Sequence, residues 1–205
     1  MRPIHDFQFH VELPDWAIQA NQSLPEFIPD LKDRMREVIR FSKANFENNT
    51  GGPFAAGVFE RDSGRVVVIG VNRVVPENMS SAHAEIVALS LAQRILNNFD
   101  LGAEEEQPLQ LVVNARPCAM CFGAIPWSGI VDLVVGASGD DVERLTGFDE
   151  GPIHPHWQRE LEARGIQVRE SVLREEACQV LAAFGSSEAQ VYNGRSGFEK
   201  PNSSD

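Results

Sequence analysis

Four residues of this chain have the types and the spacing of a hydrolytic metal site. His83 and Glu85 lie two positions apart, and Cys118 and Cys121 form a Cys-x-x-Cys motif. Zinc accepts imidazole nitrogen and thiolate sulfur as ligands, and a catalytic zinc ion keeps one of its four positions for water. The sequence therefore predicts one zinc ion per chain, held by His83, Cys118 and Cys121, with the Glu85 carboxylate beside it to move protons.

The local sequence places these residues at the starts of two helices. Ser81 is a suitable N-cap for a helix that should run to about Asn98, which puts His83 and Glu85 in its first turn. Pro117 suits the start of a second helix, so both cysteines lie at a helix N-terminus, where backbone dipoles favour thiolates. Side chains at two helix starts can reach into one shared cavity.

The Cys-x-x-Cys motif taken alone is equally typical of redox sites and of structural zinc sites. Redox chemistry needs no partner histidine, however, and a structural zinc ion usually has a fourth side-chain ligand. Cys178 is the one remaining cysteine, and its position on the inner part of the last predicted helix indicates an ordinary buried side chain. The complete set therefore favours a catalytic site over a zinc-stabilised binding module without enzymatic activity.

Hydrophobic periodicity predicts five strands and a series of helices. The strands are expected at residues 54–59, 65–71, 109–113, 131–136 and 166–172. The helices are expected at residues 29–48, 81–98, from 117 onward, 141–145, 157–163 and 173–185. The two short helices leave enough chain for a crossover between the last two strands, which should therefore be parallel. The fold class is α/β, a three-layer α/β/α sandwich around a five-stranded mixed sheet.

Three segments are expected along the chain. Residues 1–28 contain three prolines and no clean periodicity, so we expect an irregular N-terminal arm with at most a short strand at Phe7 to Val11. Residues 29–185 should form the catalytic domain. Residues 186–205 form a tail rich in Gly and Ser, in which Val191, Tyr192 and Phe198 are apolar.

Composition restricts the partners and the compartment. At 205 residues and 42% hydrophobic content the chain fits one globular domain. Its net charge of −12 would repel polyphosphate, so no nucleic-acid partner is expected. No apolar run approaches the length of a membrane span or resembles a signal peptide, so the chain is expected to be cytoplasmic and to have no membrane partner.

The metal-site motifs resemble those of a known group of enzymes. The His-Ala-Glu motif, with the first Cys of Pro-Cys-x-x-Cys 33 residues after its Glu, resembles the cytidine-deaminase-like superfamily of zinc deaminases. The resemblance implies that Glu85 carries protons from water to the ring and to the leaving ammonia. The Gly-Gly-Pro-Phe run at 51–54, Asn72 and the Gly-Phe-Asp-Glu run at 147–150 narrow the resemblance to the bacterial guanine deaminases, over roughly residues 30 to 185. Hydrolysis of guanine to xanthine and ammonia is the implied reaction.

The same resemblance implies several contacts with the substrate. Asn72 is expected to hydrogen-bond the acceptor edge of the purine, and Phe54 and Trp127 are expected to pack on its faces. Ala84, next to Glu85, is also expected to contact the substrate. Other interpretations stay open, since Asn72 suits a turn and the two aromatic residues suit an ordinary core.

A second functional carboxylate is implied near residue 150. The family has Asp at the position of Glu150. The Glu150 carboxylate is expected to contact the amine and N1–H of the purine. Asp149 is the neighbouring candidate for the same role. A further departure lies before Pro117, where the family commonly has Glu and this chain has Arg116. Such a change could alter contacts around the metal site without removing a ligand.

The tail carries the last implied contact. With Tyr192 as the only tyrosine of the chain, the tail is expected to close over an active site, either its own or that of the partner in a homodimer, and to bind substrate. A disordered end without function is the alternative.

Other substrates for the same chemistry remain open. A tRNA adenosine deaminase would share the fold and the metal site, but the acidic charge and the lack of a basic C-terminal helix weigh against it. Cytosine and amino-triazines such as ammeline also present an amine beside a ring nitrogen.

Overall fold

The computed structural model describes residues 9–104 and 106–193 of the chain. Its helices within these ranges are α1 (Asp15–Gln22), α2 (Leu31–Glu47), α3 (Val74–Glu77), α4 (Ala84–Ile95), α5 (Ala119–Ser128), α6 (Gly139–Thr146), α7 (Trp157–Glu162) and α8 (Arg174–Gly185). Its strands are β1 (Ala55–Glu60), β2 (Val66–Val71), β3 (Leu109–Ala115), β4 (Asp132–Ala137) and β5 (Gln167–Arg169).

The five strands form one mixed sheet in the order β2-β1-β3-β4-β5. Strand β1 is antiparallel to β2 and to β3, whereas β3, β4 and β5 are parallel. The crossover from β3 to β4 contains α5, and the one from β4 to β5 contains α6 and α7. This arrangement confirms the predicted five-stranded mixed sheet with parallel last strands.

Each face of the sheet is covered by a separate hydrophobic core. Side chains alternate along a strand, so Val112 and Val134 point into one core while Val113 and Val135 point into the other. The first core packs the sheet against α1, α2 and α8, and the second packs it against α4, α5 and α7. The fold is therefore the expected three-layer α/β/α sandwich.

The N-terminal arm contains a helix that the sequence analysis missed. Helix α1 follows Pro14, buries Ala17 completely, and lies within the segment expected to be irregular. Trp16 donates from its indole N–H to the Thr50 hydroxyl at 2.9 Å, which ties the arm to the end of α2. The expectation was wrong for this segment because a helix of eight residues is too short to give a recognisable hydrophobic periodicity in the sequence. The suggested strand is absent from residues 9–11, and its remainder lies outside the described residues.

No helix within the described ranges combines the length and the apolar character needed to cross a bilayer.

The predicted boundaries also shift by a few residues at two places. The helix expected from Ser81 begins at Ala84, and the strand expected over 166–172 narrows to Gln167–Arg169. The first of these shifts places His83 at the N-cap rather than in the first turn.

Candidate active site

A cavity of about 660 Å³ opens where the carboxyl ends of β2 and β3 meet the start of β1. The loop after α6 and the described end of the tail, residues 190–193, also line it. Crevices at the carboxyl ends of strands are the usual binding positions of open α/β sheets. His83, Glu85 and Cys118 line this cavity, as expected of a catalytic centre.

The three predicted zinc ligands converge beside the cavity. His83 is the N-cap residue of α4, Cys118 is the N-cap residue of α5, and Cys121 lies in the first turn of α5. Their ligand atoms all lie within 4.8 Å of one another, with 3.5 Å between Cys118 Sγ and His83 Nδ1. Nitrogen and sulfur bound tetrahedrally to zinc lie about 3.6 Å apart, so the donor atoms and their spacing fit the ion. Among the described residues no other trio of such groups is assembled this way.

The two thiols differ in their ionisation before any metal binds. A hydrogen bond from Cys121 lowers the pKa of Cys118 to about 4, and His83 acts in the same direction. The pKa of Cys121 is raised, because it shares its proton with Cys118 and is buried. One thiolate is therefore available without metal, and a divalent cation would release the second proton.

We expect one zinc ion per chain, with two sulfur ligands and one nitrogen ligand from the protein, because the structure assembles three donors. Metal analysis together with X-ray absorption spectroscopy measures both numbers. Cys121→Ser should lose most of the zinc, whereas Cys178→Ser should keep it, because Cys178 lies half-buried on α8 outside the trio. A shell with three sulfur ligands would contradict this assignment.

Glu85 is buried in the first turn of α4 and faces the cavity. Burial and the neighbouring Cys118 charge raise the pKa of Glu85 to about 7. A carboxyl group that titrates near neutral pH can both accept and release a proton, as a proton carrier must.

The Asn72 side chain presents hydrogen-bond donors to the cavity. Its Oδ1 atom accepts from the backbone N–H groups of Val74 at 3.2 Å and Gly52 at 3.4 Å, so the amide is oriented with Nδ2 inward. Nδ2 is buried and has no hydrogen-bond partner among the described residues. Asn72 is thus a turn residue and a site residue at once, and it can serve an acceptor edge of a ligand.

Aromatic side chains form one wall of the cavity. Phe54 contacts Phe148 edge-on with 5.2 Å between ring centroids, and Phe148 contacts Tyr192 at 4.6 Å. The Tyr192 hydroxyl is buried and lies near the Asn72 side chain. Phe148 belongs to the Gly-Phe-Asp-Glu run at 147–150, but it was not among the residues predicted to contact substrate. Phe198 of the tail lies outside the described residues.

Glu150 and Asp149 line the cavity in different environments. Glu150 is buried, and its backbone carbonyl accepts a hydrogen bond from the Ala119 N–H at 3.0 Å, which ties the loop to α5. Burial, followed by the Cys118 and Glu85 charges, raises the pKa of Glu150 to about 8. Asp149 is exposed, and its carboxylate accepts from the Gly151 N–H at 2.9 Å. The buried environment of Glu150 supports its assignment as the second functional carboxylate.

Ala84 and Trp127 do not lie where the family resemblance implied. Ala84 packs in the second core and is not among the cavity-lining residues. Trp127 is 88% exposed near the end of α5 and borders a separate shallow groove with Phe122. Within one chain neither side chain therefore lines the cavity, and their contact with a substrate stays a prediction.

Arg116 is a cavity residue whose role the sequence did not reveal. Its guanidinium occupies the space that a side chain at position 139 would need, so Gly139 makes room for it. Its Nε atom is buried without a partner among the described residues, and its charge opposes the raised pKa of Glu150. The departure from the family Glu thus places a cation in this cavity.

Glu150 should give the zinc-free protein a pH-dependent stability. A carboxyl group with a raised pKa stabilises the fold below its unfolded pKa, and the contribution is lost as the pH rises, here from about 4.5 through about 8. Over that range the free energy of unfolding of Glu150→Gln should fall by about 4 kcal/mol less than that of the parent. Denaturant titrations of both zinc-free proteins at the two ends of the range measure this difference, and parallel losses would contradict it.

This combination of fold and site defines a class of protein, the zinc-dependent hydrolytic deaminases. Residues 30–137, more than half of the chain, match the family model of the cytidine and deoxycytidylate deaminase zinc-binding region, and the chain belongs to this family.

Several known proteins are similar to the chain. A solved structure of guanine deaminase from Nitrosomonas europaea is 47% identical, with a TM-score of 0.84, and the match covers 89% of this chain and 98% of that one. Guanine deaminase of Bacillus subtilis (strain 168) is 31% identical over 61% of this chain and 75% of its own length. A tRNA-specific adenosine deaminase of Buchnera aphidicola subsp. Schizaphis graminum is 33% identical over 58% of this chain and 72% of its own length.

Proposed function

We propose that the protein hydrolyses guanine to xanthine and ammonia. The observation that carries the proposal is the arrangement of Glu85, Glu150 and the Asn72 amide around one cavity beside the metal trio. The 47% identity to a guanine deaminase over most of both chains supports the same substrate.

Each of these residues matches one requirement of the guanine ring. The leaving amine of guanine is on C2, between N1–H and N3, so N3 and the amine must each gain a proton while N1 keeps its own. Glu85, next to the metal trio, takes the two protons of the attacking water in turn, and delivers the first to N3 of the ring and the second to the leaving amine. Glu150 serves the N1–H side. When bound, zinc supplies the Lewis acid that makes water a nucleophile at neutral pH.

The opposite edge of the ring needs donors and an apolar face. Guanine carries the acceptors O6 and N7 there, and the fixed Nδ2 of Asn72 is a donor without a protein partner. Phe54 and Tyr192 supply aromatic surface for the planar ring. The cavity of about 660 Å³ admits a bicyclic purine.

The charge of the protein disfavours a tRNA substrate. A net charge of −12 opposes the approach of a polyphosphate, whereas it does not affect a neutral free base.

A substrate panel tests the proposal. Ammonia release should be measured on guanine, adenine, cytosine, ammeline, the corresponding nucleosides and a tRNA anticodon stem-loop. Guanine is expected to give the highest kcat/KM. Faster deamination of cytosine, ammeline or the stem-loop would replace guanine by that substrate and leave the hydrolytic class unchanged.

We propose further that the protein is a cytoplasmic homodimer. Met120, Gly123 and Trp127 share one face of α5, and Met120 and Trp127 are exposed, so they form an apolar stripe suited to a second copy. Reduced thiols at the metal trio suit the cytoplasm, where disulfides are rare.

Sedimentation equilibrium should give twice the chain mass, and Trp127→Glu should shift the measured mass toward that of the monomer. A monomeric parent would contradict the dimer.

A further inference from the structure

The Asn193 side chain holds the backbone on both sides of Phe148. The Asp149 N–H donates to Asn193 Oδ1 at 2.9 Å, and Asn193 Nδ2 donates to the Gly147 carbonyl at 3.0 Å. One amide therefore pairs with the carbonyl before Phe148 and with the N–H after it, in the way a neighbouring strand would. We call this two-point contact the tail clasp.

An equivalent contact exists on the other side of the aromatic wall. Asn114 in β3 accepts from the Ala55 N–H at 2.9 Å and donates to the Pro53 carbonyl at 3.0 Å, on the two sides of Phe54. Asn114 is buried within the sheet, so its contact is shielded from solvent. The tail clasp is solvent-exposed and comes from a chain segment beyond the last helix. The backbone around Phe54 is thus fixed by the sheet, whereas the backbone around Phe148 is held by the tail, although the Phe148 ring also stacks on Phe184 of α8 at 5.5 Å.

The segment held by the tail clasp carries Glu150. Gly147 and Gly151 lie on the two sides of this segment, and both have left-handed backbone angles, with φ of 78° and 71°. Glycine adopts this conformation without strain and also leaves it easily, so each end can act as a hinge. Apart from the clasp, the backbone between them is held by the Phe148 N–H to the Thr146 hydroxyl and the Ala119 N–H to the Glu150 carbonyl.

Tyr192 holds the same segment from inside the cavity. Its ring packs on Phe148 with 4.6 Å between centroids, while the next residue, Asn193, holds the backbone from the solvent side. The two neighbouring tail residues therefore contact the segment in different ways. Tyr192 packs on the Phe148 side chain, and Asn193 bonds the backbone on both sides of Phe148.

We propose that Asn193 is a positioning residue for Glu150. Its amide fixes the hinged segment so that the Glu150 carboxylate stays in the cavity, and docking of the tail and placement of the second carboxylate occur together. The effect on turnover rests on the proposed function, whereas the effect on the backbone does not.

The first test is hydrogen exchange in the zinc-loaded, full-length protein without substrate. Asn193→Ala removes both hydrogen bonds, so the Asp149 amide should exchange at least about tenfold faster than in the parent. Asn48→Ala is the matched control, because Asn48 is exposed at the C-cap of α2, far along the chain from the hinged segment. Unchanged exchange at Asp149 in Asn193→Ala would overturn the proposal, whatever substrate the enzyme takes.

The second test is a double-mutant comparison with the best substrate of the panel. Asn193→Ala should lower kcat about 10- to 100-fold with unchanged zinc content, since small displacements of catalytic groups have effects of this size. In the Glu150→Gln background the same substitution should change kcat less than about twofold, because a residue that acts through Glu150 has nothing left to position. An equal loss in both backgrounds would show a general structural role and overturn the proposal. Failure of guanine in the panel, with these results on another substrate, would overturn only the proposed substrate.

Discussion

Glutamine in place of Glu85 is expected to lower kcat by about 10²- to 10⁴-fold, the range typical for loss of a general acid-base group. The substitution keeps the size of the side chain and removes its ability to carry a proton. Glu85 is not one of the three converging donors, so the zinc content should equal that of the parent. Ammonia release measures turnover, metal analysis measures zinc content, and calorimetry measures substrate binding.

A matched exchange elsewhere controls for the loss of one negative charge. Glu162→Gln suits this purpose, because Glu162 is exposed at the end of α7 and does not line the active-site cavity. This variant should turn over at the parental rate. If Glu85→Gln retained turnover within a few-fold of the parent, Glu85 would not be the proton carrier.

The second large effect should distinguish the two adjacent carboxylates. Glu150→Gln is expected to lower guanine turnover by about 10²-fold or more, because the substitution removes the buried carboxyl group that serves the amine and N1–H of guanine. Asp149→Asn should have an effect of only a few-fold, because the Asp149 side chain accepts one hydrogen bond from Gly151 and an asparagine oxygen can accept the same bond. Steady-state kinetics on guanine compares the two variants directly.

The zinc-loaded proteins must be compared at matched zinc content, because both residues lie in the loop beside α5. A severe loss in Asp149→Asn with a mild one in Glu150→Gln would reverse the assignment. Parental activity in both variants would mean that only one carboxylate acts in the reaction.

The metal trio was predictable because its chemistry is written in short local motifs. Two cysteines three residues apart and a His-Ala-Glu motif at a helix start restrict the ligand geometry before any tertiary contact is known. The five strands were similarly visible as apolar runs, and the parallel pairing of the last two followed from the length of the connection between them. Local pattern and global fold agree in these parts of the chain.

The remaining parts of the site depend on contacts between distant residues. Asn193 meets Gly147 across 46 positions, and no periodicity links a tail residue to that loop. Gly139 makes room for the Arg116 side chain, which only the packed structure reveals. Trp127 follows a family motif but is turned outward by its helix, so motif position alone did not determine its direction.

Helix α1 also has a consequence for the tendency of the protein to aggregate. Strand β2 lies at the border of the sheet, and the Asn21 amide accepts from the Ile69 N–H at 2.8 Å and donates to the Ile69 carbonyl at 2.9 Å. An unprotected border strand offers a template on which another polypeptide can add, and natural proteins block such strands to avoid aggregation. Asn21 occupies one of these open pairing positions with a single side chain. The arm therefore protects the sheet against self-association through β2, and its removal would open this strand to pairing with another polypeptide.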